Sequence, residues 1–240
     1  MHVFTGTSGY SYKEWKGRFY PEKIKAAEML AFYAERFPTV EINNTFYRMP
    51  APDLLRKWGE QTPESFTFVL KAPQRITHHK RLVEVAGDVA YFLETAQALG
   101  PKLGPLLFQL PPYVKKDVEK LRALLDLLPP HPPAAFEFRH PSWFDDEVRD
   151  ALRAKGAALC VADTDEEPLT DITSTAGWGY LRLRRQAYTE ADVAAWAERV
   201  LAQPWQNAFV FFKHEDEARG PEFAALFAQR VAGPAPSPSG

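Results

Sequence analysis

Glu137 and Arg139 stand two residues apart in the run AFEFRHPSWF (135–144), interleaved with Phe136 and Phe138. Side chains of a strand alternate between its faces, so the two ions share one face and the two rings the other. A carboxylate beside a guanidinium can grip an anion, move a proton or neutralise its neighbour. The pattern recurs along the chain. Glu41 and Asn43 flank Ile42, Lys71 has the opposite parity to Phe68 and Leu70, and Gln109 separates Phe108 from Leu110. Arg182 and Arg184 alternate with Leu181 and Leu183, and Asp163 joins the polar face once Cys160 and Ala162 are assigned to the apolar one. Lys213 and His214 end a run that is apolar on both faces.

Together, Lys71, Arg139, Arg182, Arg184 and Lys213 set five cations against three carboxylates, Glu41, Glu137 and Asp163. Such a set suits a small anion bearing a phosphate or carboxylate. The arginine forks and lysines would hold it, Asn43 and Gln109 would orient it, and Glu137, Glu41 or Asp163 would serve as the catalytic carboxylate. Buried charge is costly unless paired, so the glutamates are expected to be matched by some of these cations.

Other candidates are weaker. The loop SGYSYKEWKGRFYP sets Tyr10, Tyr12, Trp15, Phe19 and Tyr20 among Lys13, Lys16 and Arg18. Tyr10 and Trp15 are its candidate substrate contacts, and a loop mini-core is the alternative. His78 and His79 in ITHHK are read as rim residues, with His78 a lesser acid/base candidate, and His140 lies at the rim beside Arg139. Cys160 is assigned a buried, inert position. Glu41, Glu137, Asp163 and His214 could converge on a metal, but the interleaved cations compete for the same carboxylates, and no metal is expected. The chain has no glycine-rich phosphate cradle, nucleophile-elbow serine or CxxC pair, and no cofactor is expected.

Eight short apolar or alternating runs position these residues: 3–8, 39–43, 66–71, 105–110, 134–139, 158–163, 179–184 and 208–213. Most are separated by one amphipathic helical stripe, such as Val118, Leu121, Leu125 and Leu128. Strands alternating with helices pair in parallel through right-handed crossovers. Eight such units in 240 residues predict a single (β/α)8 TIM barrel, an α/β fold whose sites lie where the strands end. Residues 164–178 carry no helical pattern, so the sixth crossover is expected to be degenerate. The barrel is assigned to residues 1–232, and the Pro/Ser/Gly-rich residues 233–240 to an unstructured tail.

Hydrophobic residues make up 45% of the chain, enough for a sizeable core. The net charge of −2 argues against coating nucleic acid. One cysteine, no signal-peptide pattern and no run approaching the ~20 apolar residues of a membrane span lead to the expectation of a cytoplasmic protein with no membrane partner.

Five segments in order, GTSGYSYKEWKGRFYP, VEINNTFYRMP, KAPQRITH, LGPLLFQLPP and AFEFRHPSWF, resemble the domain of unknown function 72 family. The resemblance covers about residues 4–163 strongly and the rest loosely. It implies a TIM barrel of unestablished activity, with shared polar positions at Glu41, Asn43, Lys71, Gln109, Glu137, Arg139 and Asp163. Where that family tends to carry His-Gly after the seventh strand, this chain has Arg184 and Arg185. Where it often carries an Asn pair after the eighth, this chain has Lys213 and His214.

Three functional readings result. The leading one is a metal-free enzyme doing acid/base chemistry, hydrolysis among its forms, on a small anionic substrate. The second is a divalent-metal enzyme resembling barrel endonucleases or sugar isomerases. The third is a non-catalytic binder of a phosphorylated metabolite or a nucleic-acid end.

Overall fold

The computed structural model describes residues 1–166, 171–213 and 218–233. Among the described residues nine strands, all paired in parallel, alternate with helices except across β6, β7 and β8: β1 (His2–Ser8), β2 (Thr39–Ile42), β3 (Thr67–Lys71), β4 (Leu103–Gln109), β5 (Ala134–Glu137), β6 (Ala158–Leu159), β7 (Val161–Asp163), β8 (Trp178–Leu183) and β9 (Asn207–Phe212). Their order is β6-β5-β4-β3-β2-β1-β9-β8-β7, a nearly closed barrel of the TIM type. β6 and β7 are the two halves of the expected sixth strand. The first half pairs with β5 and the second with β8, and only Cys160 separates them. Among the described residues of the sixth crossover there is no helix. Thr175 pins that segment instead, accepting from Leu159 N at 2.8 Å and donating to Ala157 O at 2.7 Å. His214 and part of the expected tail lie outside the described residues.

The outer face of the barrel is built from the alternate apolar residues of each strand. Phe108 stacks on Phe136 (5.3 Å), Phe136 on Phe138 (6.2 Å) and Phe138 on Trp143 (4.5 Å). Each such ring, fully removed from water, contributes about 1.5–3 kcal/mol. Three of the described helices start on side-chain caps. Asp117 accepts from Lys120 N to open α5, which is Val118–Leu127 in a helix series numbered in chain order. Asp145 accepts from Val148 N to open α6 (Asp146–Ala154), and Thr189 with Asp192 closes a capping box on α7 (Glu190–Leu201).

The lumen is layered. At its base Phe4 stacks on Phe209 at 4.6 Å. Above lie Val69, Leu107, Ala135, Ala158, Cys160, Tyr180 and Phe211, all buried. The parity expected for the sixth strand is therefore inverted. Cys160 points into the lumen, and Val161 and Asp163 register with Leu181 and Leu183 on the helix-facing side. The physical reason is volume: with Val69, Leu107, Tyr180, Phe209 and Phe211 filling the rest of the lumen, the small side chains Ala135, Ala158 and Cys160 suit the space left on the β5–β7 side.

That crowding has a measurable consequence. Cys160→Leu forces extra methylenes into a filled layer and is expected to lose about 1–3 kcal/mol. Cys160→Ala, which only removes a sulfur, is expected to lose less. Urea denaturation of the two variants makes the comparison; a Leu variant as stable as the parent would contradict the inward placement of Cys160.

Candidate functional site

β2, β3, β4, β5 and β8 each send one long polar side chain into the top of the lumen: Glu41, Lys71, Gln109, Glu137 and Arg182. Arg182 is the hub, with 1% of its surface exposed. Its Nε and Nη2 donate to Glu41 Oε1 at 3.2 and 2.9 Å, and its Nη1 donates to Glu137 Oε2 at 2.5 Å. Nη2 also reaches Asn43 Oδ1 at 3.3 Å, and Asn43 Nδ2 donates back to Glu41 Oε1 at 3.1 Å. Tyr180 OH closes the other side of Glu41, donating to Oε2 at 2.6 Å.

Glu137 has more cations than it can fully pair. Arg139 Nε donates to its Oε1 at 2.9 Å, and Arg184 Nη1 approaches the same oxygen at 3.9 Å. Burial pushes both glutamates toward higher pKa. For Glu41, Arg182 and the Tyr180 hydroxyl outweigh that effect, and for Glu137 the three guanidiniums do, so both carboxyls are held below their ordinary value of 4.5. Neither is poised to carry a proton near neutrality.

Lys71 is the opposite case. Its Nζ donates to Gln109 Oε1 at 2.6 Å and sits 4.1 Å from the centre of the Phe46 ring, and it has no ion-pair partner among the described residues. Burial, reinforced by Arg182 and Arg139 and opposed by Glu137 and Glu41, lowers its pKa to about 7. Nearby His78 is lowered to about 4, first by burial and then by Lys71 and Arg139. Its ring meets Phe46 edge to face at 4.7 Å, within a π-helical turn (Arg75–His79) that follows β3.

Of the residues expected from sequence, Glu41, Asn43, Lys71, Gln109, Glu137, Arg139, Arg182 and Arg184 come together here. Asp163 does not. It is buried on the helix side, where its Oδ2 accepts from Arg185 Nε (2.8 Å), Tyr188 OH (3.0 Å) and Trp196 Nε1 (3.0 Å), fastening α7 to the barrel. Trp15 is also corrected. It is 1% exposed and enclosed by Tyr12, Phe19 and Tyr20 in a loop mini-core, leaving no surface for a substrate. Tyr10 packs toward Tyr33 (6.2 Å) at the edge of that mini-core. Lys213 stands half-buried just past β9. His140 caps the turn Pro141–Trp143, where its Nδ1 accepts from Ser142 N at 3.1 Å.

Sequence reasoning passed over Tyr180, Ser8 and Phe46. Tyr180 was within reach, since it shares the parity of Arg182 and Arg184. Ser8, in register with Glu41, is buried beside it and helps to hold its carboxyl low. Phe46 belongs to a four-residue helix after β2 (Asn44–Tyr47), and no strand parity applies to it. Among the described residues no three His, Cys, Asp or Glu side chains group as a metal site would.

A parallel α/β barrel with its polar cluster at the strand ends is the architecture of barrel proteins that bind or transform ligands at that face. Within that class the chain belongs to the family described as "Protein of unknown function DUF72", whose model matches residues 4–239. It is 35% identical over 138 residues to the UPF0759 protein YecE of Escherichia coli K12, covering 55% of this chain and 51% of that protein. It is 30% identical over 178 residues to the UPF0759 protein YunF of Bacillus subtilis, covering 67% of this chain and 60% of that one. The matches thus span about half to three-fifths of these relatives' length. The crystal structure of a DUF72 family protein from Thermotoga maritima superposes with a TM-score of 0.83 at 27% identity, over 95% of this chain and 98% of the other. One from Enterococcus faecalis gives 0.78 at 18% identity over 99% of both, a likeness of fold.

Two outcomes test this arrangement. Removing one partner of a buried ion pair costs about 3–5 kcal/mol, set against a typical total stability of about 5–15 kcal/mol. Arg182→Met leaves Glu41 buried with no cation, only Tyr180 and Asn43, and takes one guanidinium from Glu137, so it is expected to be largely unfolded at neutral pH and to regain structure as acid protonates Glu41. The parent trends the other way: the stability conferred by Glu137, with its depressed pKa, is present above its ordinary 4.5 and lost as pH falls. Circular dichroism across the acid range distinguishes the two trends.

Lys71 has the reverse linkage. Between about 7 and 10.5 the unfolded chain binds a proton that the folded one does not, so Lys71 makes stability rise with pH across that window. Lys71→Met is expected to raise the melting temperature relative to the parent at about pH 6, by an amount that shrinks as the pH nears 10. A pH-independent difference would contradict the depressed pKa.

Proposed function

We propose that the barrel mouth binds a small phosphate- or carboxylate-bearing substrate and acts on it by proton transfer through Lys71. The carrying observation is the imbalance of charge at the rim. Two carboxylates, Glu41 and Glu137, face four cations, Lys71, Arg139, Arg182 and Arg184, and Arg182 already occupies both carboxylates. Arg139 and Arg184 converge on the one remaining oxygen, with side chains 35% and 20% exposed. Arg184 Nε is buried without a hydrogen-bond partner, a donor that a substrate oxygen would satisfy. Burial and the neighbouring Arg182 lower the pKa of Arg184, so an incoming anion would relieve repulsion as well as fill a bond.

Glu137 and Glu41, ionised and saturated, serve in this reading as the scaffold that aims the guanidiniums. Lys71 replaces them as the acid/base group, because its pKa of about 7 matches a proton-transfer role near neutrality.

Phosphate is expected to raise the melting temperature above that in chloride of equal ionic strength. A ligand at a hundred times its dissociation constant adds about 2.7 kcal/mol. Arg184→Met is expected to abolish the difference while leaving the Arg182 hub intact. Equal melting temperatures of the parent in the two salts would refute the anion site, and a broad phosphoester and glycoside panel then measures turnover.

A further inference from the structure

We propose that Lys71 is a carbonyl-trapping amine: its Nζ forms an imine with an aldehyde or ketone group on the anion held at the mouth. This rests on the anion-site reading above and names the substrate class, a carbonyl compound that also carries a phosphate or carboxylate.

The geometry distinguishes Lys71 from a lysine that merely supplies charge. A structural cation at this height would take a carboxylate, yet Glu41 and Glu137 are both engaged by arginines, with Tyr180 and Asn43 adding further bonds. Lys71 instead donates to a neutral amide oxygen, Gln109 Oε1 at 2.6 Å, over the face of Phe46. That contact orients the nitrogen and uses an N–H, so a neutral amine keeps its lone pair for attack. Lys71 is buried, with 9% of its surface exposed, so a carbonyl group would reach it only past the more exposed side chains of Arg139 and Arg184 at the rim. Arg139 and Arg184 stand at the rim to hold the anionic end. The lowered pKa supports the same role, since desolvation beside another cation is a general way of activating lysine nucleophiles.

The step balances without an oxidant or reductant. The Nζ lone pair forms a bond to the carbonyl carbon as the C=O π pair moves to oxygen, giving a carbinolamine. That oxygen then leaves with the two amine hydrogens as water, and a C=N bond remains.

The test uses the full chain, with glyoxylate and glyceraldehyde 3-phosphate as probes and borohydride to reduce any imine irreversibly. Peptide mass mapping is expected to find Lys71 heavier by the mass of the probe less one oxygen atom. At neutral pH an amine of pKa about 7 is ~half unprotonated, whereas an ordinary lysine is free in about one molecule in 2,500. Labelling of Lys71 is therefore expected to exceed that of any other lysine by about a hundredfold or more. Lys71→Arg is expected to keep the phosphate-dependent rise in melting temperature and to lose the selective label. The groups that set the pH dependence of labelling are Arg182, Glu137, Glu41, Arg139 and His78.

Adducts spread evenly over exposed lysines, or an unlabelled Lys71 in a protein that phosphate still stabilises, would overturn the imine and spare the anion site. Selective labelling that phosphate neither slows nor accompanies with stabilisation would support the amine chemistry and overturn the anion site instead.

Discussion

A single guanidinium decides the character of this barrel. Arg182 rises from β8, crosses the top of the lumen and binds Glu41 of β2 and Glu137 of β5 together. Three of the strands ringing the mouth are thus held to one height by an ion with almost no exposed surface. Burying such an ion is tolerable only because its donors are engaged by Glu41, Glu137 and Asn43. Every other property of the mouth follows from this allocation. Arg139 and Arg184 are left to share an edge of Glu137, and Lys71 is left with an amide and a ring. The uncharged surroundings of Lys71 are in this sense a by-product of how completely Arg182 consumes the available negative charge.

Much of this was legible from strand periodicity. The number and order of the barrel units, the inward direction of Glu41, Lys71, Gln109, Glu137 and Arg182, and the degenerate sixth crossover all follow from alternating residues. Parity stops being informative where a strand breaks. It placed Asp163 in the lumen because Cys160 and Ala162 were assigned to the helix-facing side, whereas Cys160 points inward at the break and Asp163 registers with Leu183 on the outer side. Trp15 could not be separated from a ligand-stacking ring by its type. Only the enclosure by Tyr12, Phe19 and Tyr20 distinguishes the two. The lowered pKa of Glu137 was illegible for another reason: it depends on how neighbouring charges are shared, and strand alternation does not encode that.

The two consecutive arginines after the seventh barrel position have separate duties. Arg185 turns away from the lumen and joins Tyr188 and Trp196 on Asp163, so it belongs to the attachment of α7. Arg184 turns toward Glu137 and carries the unsatisfied Nε. One arginine of the pair therefore bears on how the helix layer is held, and the other on what the mouth can hold.

The split sixth strand has a mechanical consequence. Eight hydrogen-bonded ladders run around the circumference, and at β6–β7 the ring is completed by the covalent chain through Cys160 rather than by a ladder. A fully laddered ring can widen only by breaking backbone hydrogen bonds. Here the peptide through Cys160, whose N–H donates to Phe136 O at 2.8 Å, closes the ring between the strands that carry Glu137 and Arg182, so the Arg182–Glu137 ion pair spans the place where the ladder is interrupted.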